Sequence, residues 1–143
     1  MVQIKIINTS NNPSPQYSTI GSAGLDLRSD MDIVIPGREK AIVTTGIYME
    51  IPDGYEAQIR PRSGLAFNRG ITVLNTPGTI DCDYRGEIKV LLFNTEPVPF
   101  EIRKGDRICQ IVINKYEKAE LISVSELDNT ERGVGGIGHT GIK

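Results

Sequence analysis

Apolar and polar residues alternate in short runs as far as residue 115, and turn-forming residues separate the runs. Period-two alternation is the pattern of a half-buried strand. It predicts strands at Val2–Ile7, Gly24–Arg28, Met31–Ile35, Lys40–Met49, Tyr55–Arg60, Ile71–Leu74, Gly86–Phe93, Phe100–Arg103 and Arg107–Lys115. Between them stand NNPSP, PGRE, PDG, NTPGT, TEPVP and RKGD, rich in the residues that set turns. Regular turns at this spacing predict an all-β sandwich or barrel. Only SGLAFN, Ser63–Asn68, suits a helix, with Ser63 as its N-cap. No internal repeat is visible.

The pattern stops near Leu127. The remainder reads LDNTERGVGGIGHTGIK, and about half of the residues beyond Arg132 are glycine. Such a segment has too little apolar surface to fold alone. It is either a frayed terminus or a flap that orders over a ligand. In the second case glycine backbone approaches phosphate closely and Arg132 supplies charge. The expected organisation is one β domain over residues 1–126 and a flexible tail over 127–143.

Composition narrows the function classes. At 143 residues one domain is expected, large enough to bury a core without disulfide or metal. The net charge of -2 argues against a nucleic-acid partner, because binding through counterion release needs a basic surface. An anionic ligand must therefore meet a local basic cluster. The two cysteines, Cys82 and Cys109, form no CxxC pair, which points to a reducing cytoplasm. No leader-like apolar core opens the chain, and no run approaches the ~18 apolar residues of a membrane span. The one histidine, His139, rules out a His-rich metal cage and leaves a serine-hydrolase triad no other base.

Four patches carry candidate chemistry. In RPRSGLAFNRG, Arg62 offers a planar donor fork, Ser63 a hydroxyl and Gly64 room for close approach, which suits phosphate. The same residues also make an ordinary capped turn with solvated arginines. In GTIDCDYRGEIKV, Asp81 and Asp83 would point the same way on an extended chain. They could bond turn amides, hold a divalent metal with substrate phosphates, or supply a general base for water. The turn at Asn75–Gly78 predicts a hairpin whose tip offers backbone groups to a ligand, with Tyr84 as a flat wall beside it. In GDRICQIVI, Gln110 interrupts an apolar run and either faces solvent or needs partners. In AGLDLRSD, Asp26 faces opposite to Leu25 and Leu27, as an outward carboxylate on a half-buried strand would.

Taken in order, AGLDLRSD, PRSGLAF, GTIDCDYRGEIKV, GDRICQIV and RGVGGIGHTG closely resemble the five motifs of the trimeric dUTPases. The resemblance spans residues 23–141. It implies a jelly-roll-like distorted β-barrel with one short helix and a flexible glycine-rich C-terminal tail. It implies a homotrimer with active sites shared between chains and no membrane partner. The implied reaction is Mg²⁺-dependent hydrolysis of dUTP to dUMP and pyrophosphate, which keeps uracil out of DNA and supplies dUMP for thymidylate synthesis. By resemblance, Asp81 activates the water that attacks the α-phosphorus, and Asp83 serves the turn. Arg62, Ser63 and Gly64 match the phosphate loop, and Gln110 a contact near the α-phosphate. Asn75, Thr79, Ile80 and Lys89 match the hairpin that holds the nucleoside. Tyr84 matches the aromatic that packs on deoxyribose and excludes a 2′-hydroxyl. Arg132 matches the flap arginine at the γ-phosphate, and Ile137 and Gly138 fall where the flap covers the base. Asp26 matches a carboxylate that reaches the metal through its bound water.

Two flap positions depart from the family pattern. Ile137 stands where an aromatic usually stacks on uracil, and His139 replaces a usual serine. Two other readings stay open: a dCTP deaminase-like enzyme of the same fold, and a non-catalytic trimeric nucleotide-binding regulator.

Overall fold

The computed structural model describes residues 1–137, 139 and 140. It contains eleven strands and one helix among those residues. The largest sheet runs β2 (Gly24–Arg28), β11 (Arg107–Lys115), β6 (Tyr55–Arg60), β8 (Gly78–Ile80). A second runs β4 (Lys40–Thr44), β9 (Lys89–Asn94), β7 (Ile71–Val73). Two ribbons complete the set: β1 (Lys5–Asn8) with β5 (Ile47–Glu50), and β10 (Phe100–Ile102) with β3 (Ile33–Ile35). Every pairing is antiparallel. Helix α1 (Ser63–Arg69) follows β6. Among the described residues no helix is long and apolar enough to cross a membrane.

Alternation sends one face of each strand inward. On β9, Val90, Leu92 and Asn94 are buried, while Lys89 and Leu91 are exposed. Leu27, Ile35, Val43, Ala57 and Ile111 join Leu92 in one core cluster and are fully buried. Each large aliphatic side chain withdrawn from water contributes about 1.5–3 kcal/mol. Asn94 is, with Ser29 and Thr45, one of the buried polar residues, and its bonds account for it. Its Nδ2 donates to the carbonyls of Ile35, Pro36 and Val98 at 3.2, 3.2 and 2.8 Å, and its Oδ1 accepts from the Glu96 amide at 3.0 Å. A buried amide so satisfied ties two loops to the core without a desolvation penalty left over.

Several boundaries differ from the sequence pattern, each for a local reason. The predicted strand Lys40–Met49 divides into β4 and β5, because Gly46 turns at φ 67. The Thr45 and Gly46 amides leave the ladder for Glu87 Oε1, at 3.2 and 2.9 Å. That contact also delays β9, which begins at Lys89 rather than Gly86. The three-residue β8 has no alternation long enough to detect, yet it pairs with β6. The expected hairpin around Asn75–Gly78 does not form: β7 pairs with β9 and β8 with β6, so the turn carries the chain between sheets. Gly78 is the contact point, since a Cβ there would lie 3.4 Å from Ile59 Cβ. The first strand is Lys5–Asn8 rather than Val2–Ile7, and β3 starts at Ile33, after Ser29 has turned its hydroxyl onto the Met31 carbonyl at 2.6 Å. No regular element follows β11 among the described residues.

Candidate active site

Two concavities collect most of the site residues expected from the motifs. The first, about 340 Å³, lies where β2, β11 and the end of β6 meet α1; its wall includes Gly24, Asp26, Arg62, Ser63, Gly64 and Gln110. The sheet order explains the meeting, because Gln110 on β11 is opposite Asp26 on one side and Arg60 on the other. Gln110 does not simply face solvent. Its Nε2 donates to the Pro61 carbonyl at 2.8 Å, which anchors the turn that presents Arg62. Its Oε1 lies over Gly24, where a Cβ would overlap it and push the glutamine aside.

Asp26 is a shared counter-ion rather than a free carboxylate. Its Oδ1 forms an ion pair with Arg62 Nε at 3.0 Å, and its Oδ2 accepts a hydrogen bond from Arg107 Nη1 at 3.0 Å. Arg62 Nη1 also donates to the Arg107 carbonyl at 3.2 Å. Two guanidiniums and one carboxylate leave this wall with a surplus positive charge, which suits a polyanion. Arg107 was not singled out by the sequence motifs as a site residue; its place at the head of the GDRICQIVI patch, two residues before Cys109, was the signal available. Ser18 and Ser22 complete the rim. Buried behind this wall, Cys109 has its thiol pushed far above the ordinary range by burial and then by the Asp26 carboxylate, with Arg62 opposing.

Ser63 is not the helix cap. Arg62 occupies the N-cap position with extended backbone and no side-chain cap, and Ser63 is the first helical residue. The guanidinium of Arg62 is drawn to Asp26 instead, so Ser63 stays exposed beside Gly64 on the concavity.

The second concavity, about 170 Å³, is lined by Thr79, Ile80, Asp81, Tyr84, Glu87 and Lys89. The chain leaves β8 at Ile80 and turns through Cys82 and Asp83, so the two aspartates are not alternating positions of one strand. The Tyr84 amide closes this turn on the Asp81 carbonyl at 3.2 Å, and Arg85 Nη1 crosses it to the Cys82 carbonyl at 2.6 Å. These bonds do the work expected of Asp83, whose side chain is exposed. Asp81 is exposed on the same turn, open to solvent and to a ligand. Asn75 is not on this wall; its amide lies against Gly78.

The tail residues are brought to neither concavity. Arg132 Nε donates to the Gly135 carbonyl at 2.9 Å, and Ile137 and His139 are exposed. Gly138 lies outside the described residues. Among the described residues no group of three or more His, Cys, Asp or Glu side chains could hold a metal ion.

The two concavities share no wall residue. Ile80 pairs with Ala57, so Asp81 lies level with the start of β6, whereas Arg62 extends beyond its other end. Six residues of extended chain separate those levels, roughly 20 Å.

The dUTPase family model matches residues 10–141. A deoxyuridine 5'-triphosphate nucleotidohydrolase of Finegoldia magna is 54% identical over 142 residues, covering 98% of this chain and 99% of its own. The protein of the same name from Nautilia profundicola is 59% identical over 127 residues, 89% of each chain. A solved mutant of the Staphylococcus bacteriophage 80alpha dUTPase with dUpNHpp superimposes with a TM-score of 0.91 at 24% identity, over 99% of this chain and 100% of that one. At that identity the superposition speaks for the fold alone, and the fold agrees with the family match. By the match across nearly its whole length and the identity of its relatives, the chain belongs to the dUTPase family.

Proposed function

We propose that the chain hydrolyses dUTP to dUMP and pyrophosphate, with Asp81 aligning and deprotonating the water that attacks the α-phosphorus. The relatives' names, deoxyuridine 5'-triphosphate nucleotidohydrolase, support the reaction. The observation that carries the mechanism is the division of the site into a carboxylate-bearing turn and an arginine-lined wall with no residue in common. A triphosphate cannot span roughly 20 Å of strand within one copy. The base of one copy therefore works against the phosphate wall of another, and a closed homotrimer with three shared sites satisfies that requirement.

In such a site each group has a task. Arg62 gives the phosphates a bidentate donor held in place by Asp26, while Gly64 and Ser63 allow close approach. Gln110 faces the α-phosphate region. Thr79, Ile80 and Lys89 border the nucleoside beside Tyr84, which closes the space a 2′-hydroxyl would need. Asn75 supports that border through Gly78. The tail, residues 127–143, closes over the bound nucleotide with Arg132 on the γ-phosphate and Ile137 and Gly138 over the base. Backbone groups of the turn match uracil's edge, and cytosine leaves buried groups unpaired, which discriminates strongly. Mg²⁺ fits as a partner of the substrate phosphates, where it would neutralise charge; magnesium commonly takes only one or two protein carboxylates. Asp26 is the carboxylate of the phosphate wall that could reach its bound water. A phage phi11 dUTPase with a structural Mg(II) ion shares the fold at 22% identity.

Pyrophosphate release from dUTP, dCTP, dTTP and UTP, with and without Mg²⁺, tests the assignment. The expected result is turnover of dUTP alone, without ammonia, which separates hydrolysis from the deaminase reading. Asp81→Asn should lower kcat by about 10²–10⁴ while still binding dUTP. Unimpaired turnover by that variant would place the base elsewhere. Mixing Asp81→Asn chains with Arg62→Ala chains should recover part of the activity, because some sites then combine an intact turn with an intact wall. No recovery would argue for sites within single copies.

A further inference from the structure

We propose that Gly86 and Glu87 are positioning residues that lock the Tyr84 ring and so set how well the site tells deoxyribose from ribose. The inference rests on the reading of Tyr84 as the sugar wall. A wall excludes a hydroxyl only if it does not yield. Tyr84 is 43% exposed, and exposed side chains flip rotamers within nanoseconds unless held.

Two contacts hold this one. The Tyr84 hydroxyl donates to the Glu87 carbonyl at 3.0 Å. The Glu87 carbonyl is itself anchored, because the side chain of the same residue accepts the Thr45 and Gly46 amides through Oε1. The next carbonyl, that of Ile88, accepts the buried Thr45 hydroxyl at 2.6 Å. The acceptor of the exposed ring is thus tied to the interior turn between β4 and β5. Gly86 supplies the second contact. A Cβ there would overlap the Tyr84 hydroxyl oxygen and lie 2.5 Å from Cζ, nearer than real atoms approach. Gly86 is not among the glycines with positive φ, so its backbone does not demand glycine. The ring does. Any side chain at 86 must push Tyr84 off its seat, and the backbone is otherwise free to accept alanine.

The test measures kcat/KM for UTP and for dUTP in the assembled enzyme. Gly86→Ala should raise the UTP-to-dUTP ratio about tenfold or more, the scale on which shape alone discriminates. Glu87→Ala should move the ratio the same way, and Glu87→Gln, which keeps an oxygen acceptor for the two amides, should restore it. In a Tyr84→Ala background Gly86→Ala should leave the ratio unchanged, because no ring remains to displace. A structural defect alone would not show that dependence. Tyr84→Phe, which removes only the hydroxyl bond, repeats the test without touching the backbone and should raise the ratio severalfold. Wild-type ratios in Gly86→Ala, Glu87→Ala and Tyr84→Phe would overturn the positioning role while leaving the sugar wall intact. A wild-type ratio in Tyr84→Ala, or a wild-type enzyme indifferent to the 2′-hydroxyl, would instead overturn the reading of Tyr84 and the inference with it.

Discussion

Replacing Asp26 with asparagine keeps the side chain's shape and removes the charge that two guanidiniums share. The Arg62 contact lies between side chains only 27% and 20% exposed, at 3.0 Å. An ion pair this sheltered lies between the exposed and the buried case, at about 1–2 kcal/mol. Arg107 is 45% exposed, so solvent screens its pair to under about 1 kcal/mol. Asparagine retains one acceptor oxygen but turns an NH₂ group toward the other guanidinium. The expected loss of stability is therefore about 1–3 kcal/mol, read as a lower urea midpoint at unchanged m. Activity falls for a related reason. A released Arg62 must be ordered again on the phosphates, at about 0.5–1.5 kcal/mol for such a side chain. That corresponds to a drop in kcat/KM for dUTP of up to about tenfold.

The same variant separates two roles for Asp26. If it acts by holding Arg62, the activity defect persists at every Mg²⁺ concentration, and the arginines remain misplaced. If it acts by reaching a metal-bound water, excess Mg²⁺ restores the rate. An Asp26→Asn protein with unchanged urea midpoint and full rescue by Mg²⁺ would refute the counter-ion argument.

Two further outcomes concern single residues. Burial raises the Cys109 thiol far above its ordinary value of 9.0, so the folded chain keeps a proton that the unfolded chain loses above that pH. The contribution is complete below about pH 9 and is lost as pH rises, with a slope of up to about 1.4 kcal/mol per pH unit. Cys109→Ala should flatten the alkaline arm of a stability–pH curve, and an identical arm in both proteins would contradict it. Ile137→Phe should lower KM for dUTP, since base–aromatic stacking is worth about 1–3 kcal/mol; an unchanged or higher KM would count against a lid role for the tail.

Long alternating runs were legible in the chain; contacts between distant runs were not. β2, β6 and β11 appear in the structure with the limits their alternation predicts, because their inward residues are simply apolar. The division of Lys40–Met49 was hidden because its cause is Glu87, a residue far along the chain whose carboxylate takes two amides out of the ladder. β8 was hidden because three residues hold no periodicity. The motifs named most of the residues on both walls, since those residue types are chosen for chemistry rather than packing. They could not show that Asp26 is occupied by two arginines, that Gln110 lies on Gly24, or that Glu87 anchors the Tyr84 turn. Each of those is a contact between residues far apart along the chain, and such contacts have no local signature.

The placement of the two walls also explains why no single patch of this sequence is distinctive. A base and a phosphate clamp on one local segment would form a compact motif. Here they sit at opposite ends of β6, because β8 runs back along its first half while the Arg60–Gly64 turn leaves from its far end. On the proposed reading, one copy alone holds a carboxylate without a phosphorus to attack and an arginine clamp without a base. A water beside Asp81 is then no better aligned than one in bulk, since most of the acceleration comes from orientation and charge neutralisation. Assembly supplies both at once. On that reading, the antiparallel run of β8 against β6, a feature of backbone pairing, makes the reaction a property of the oligomer.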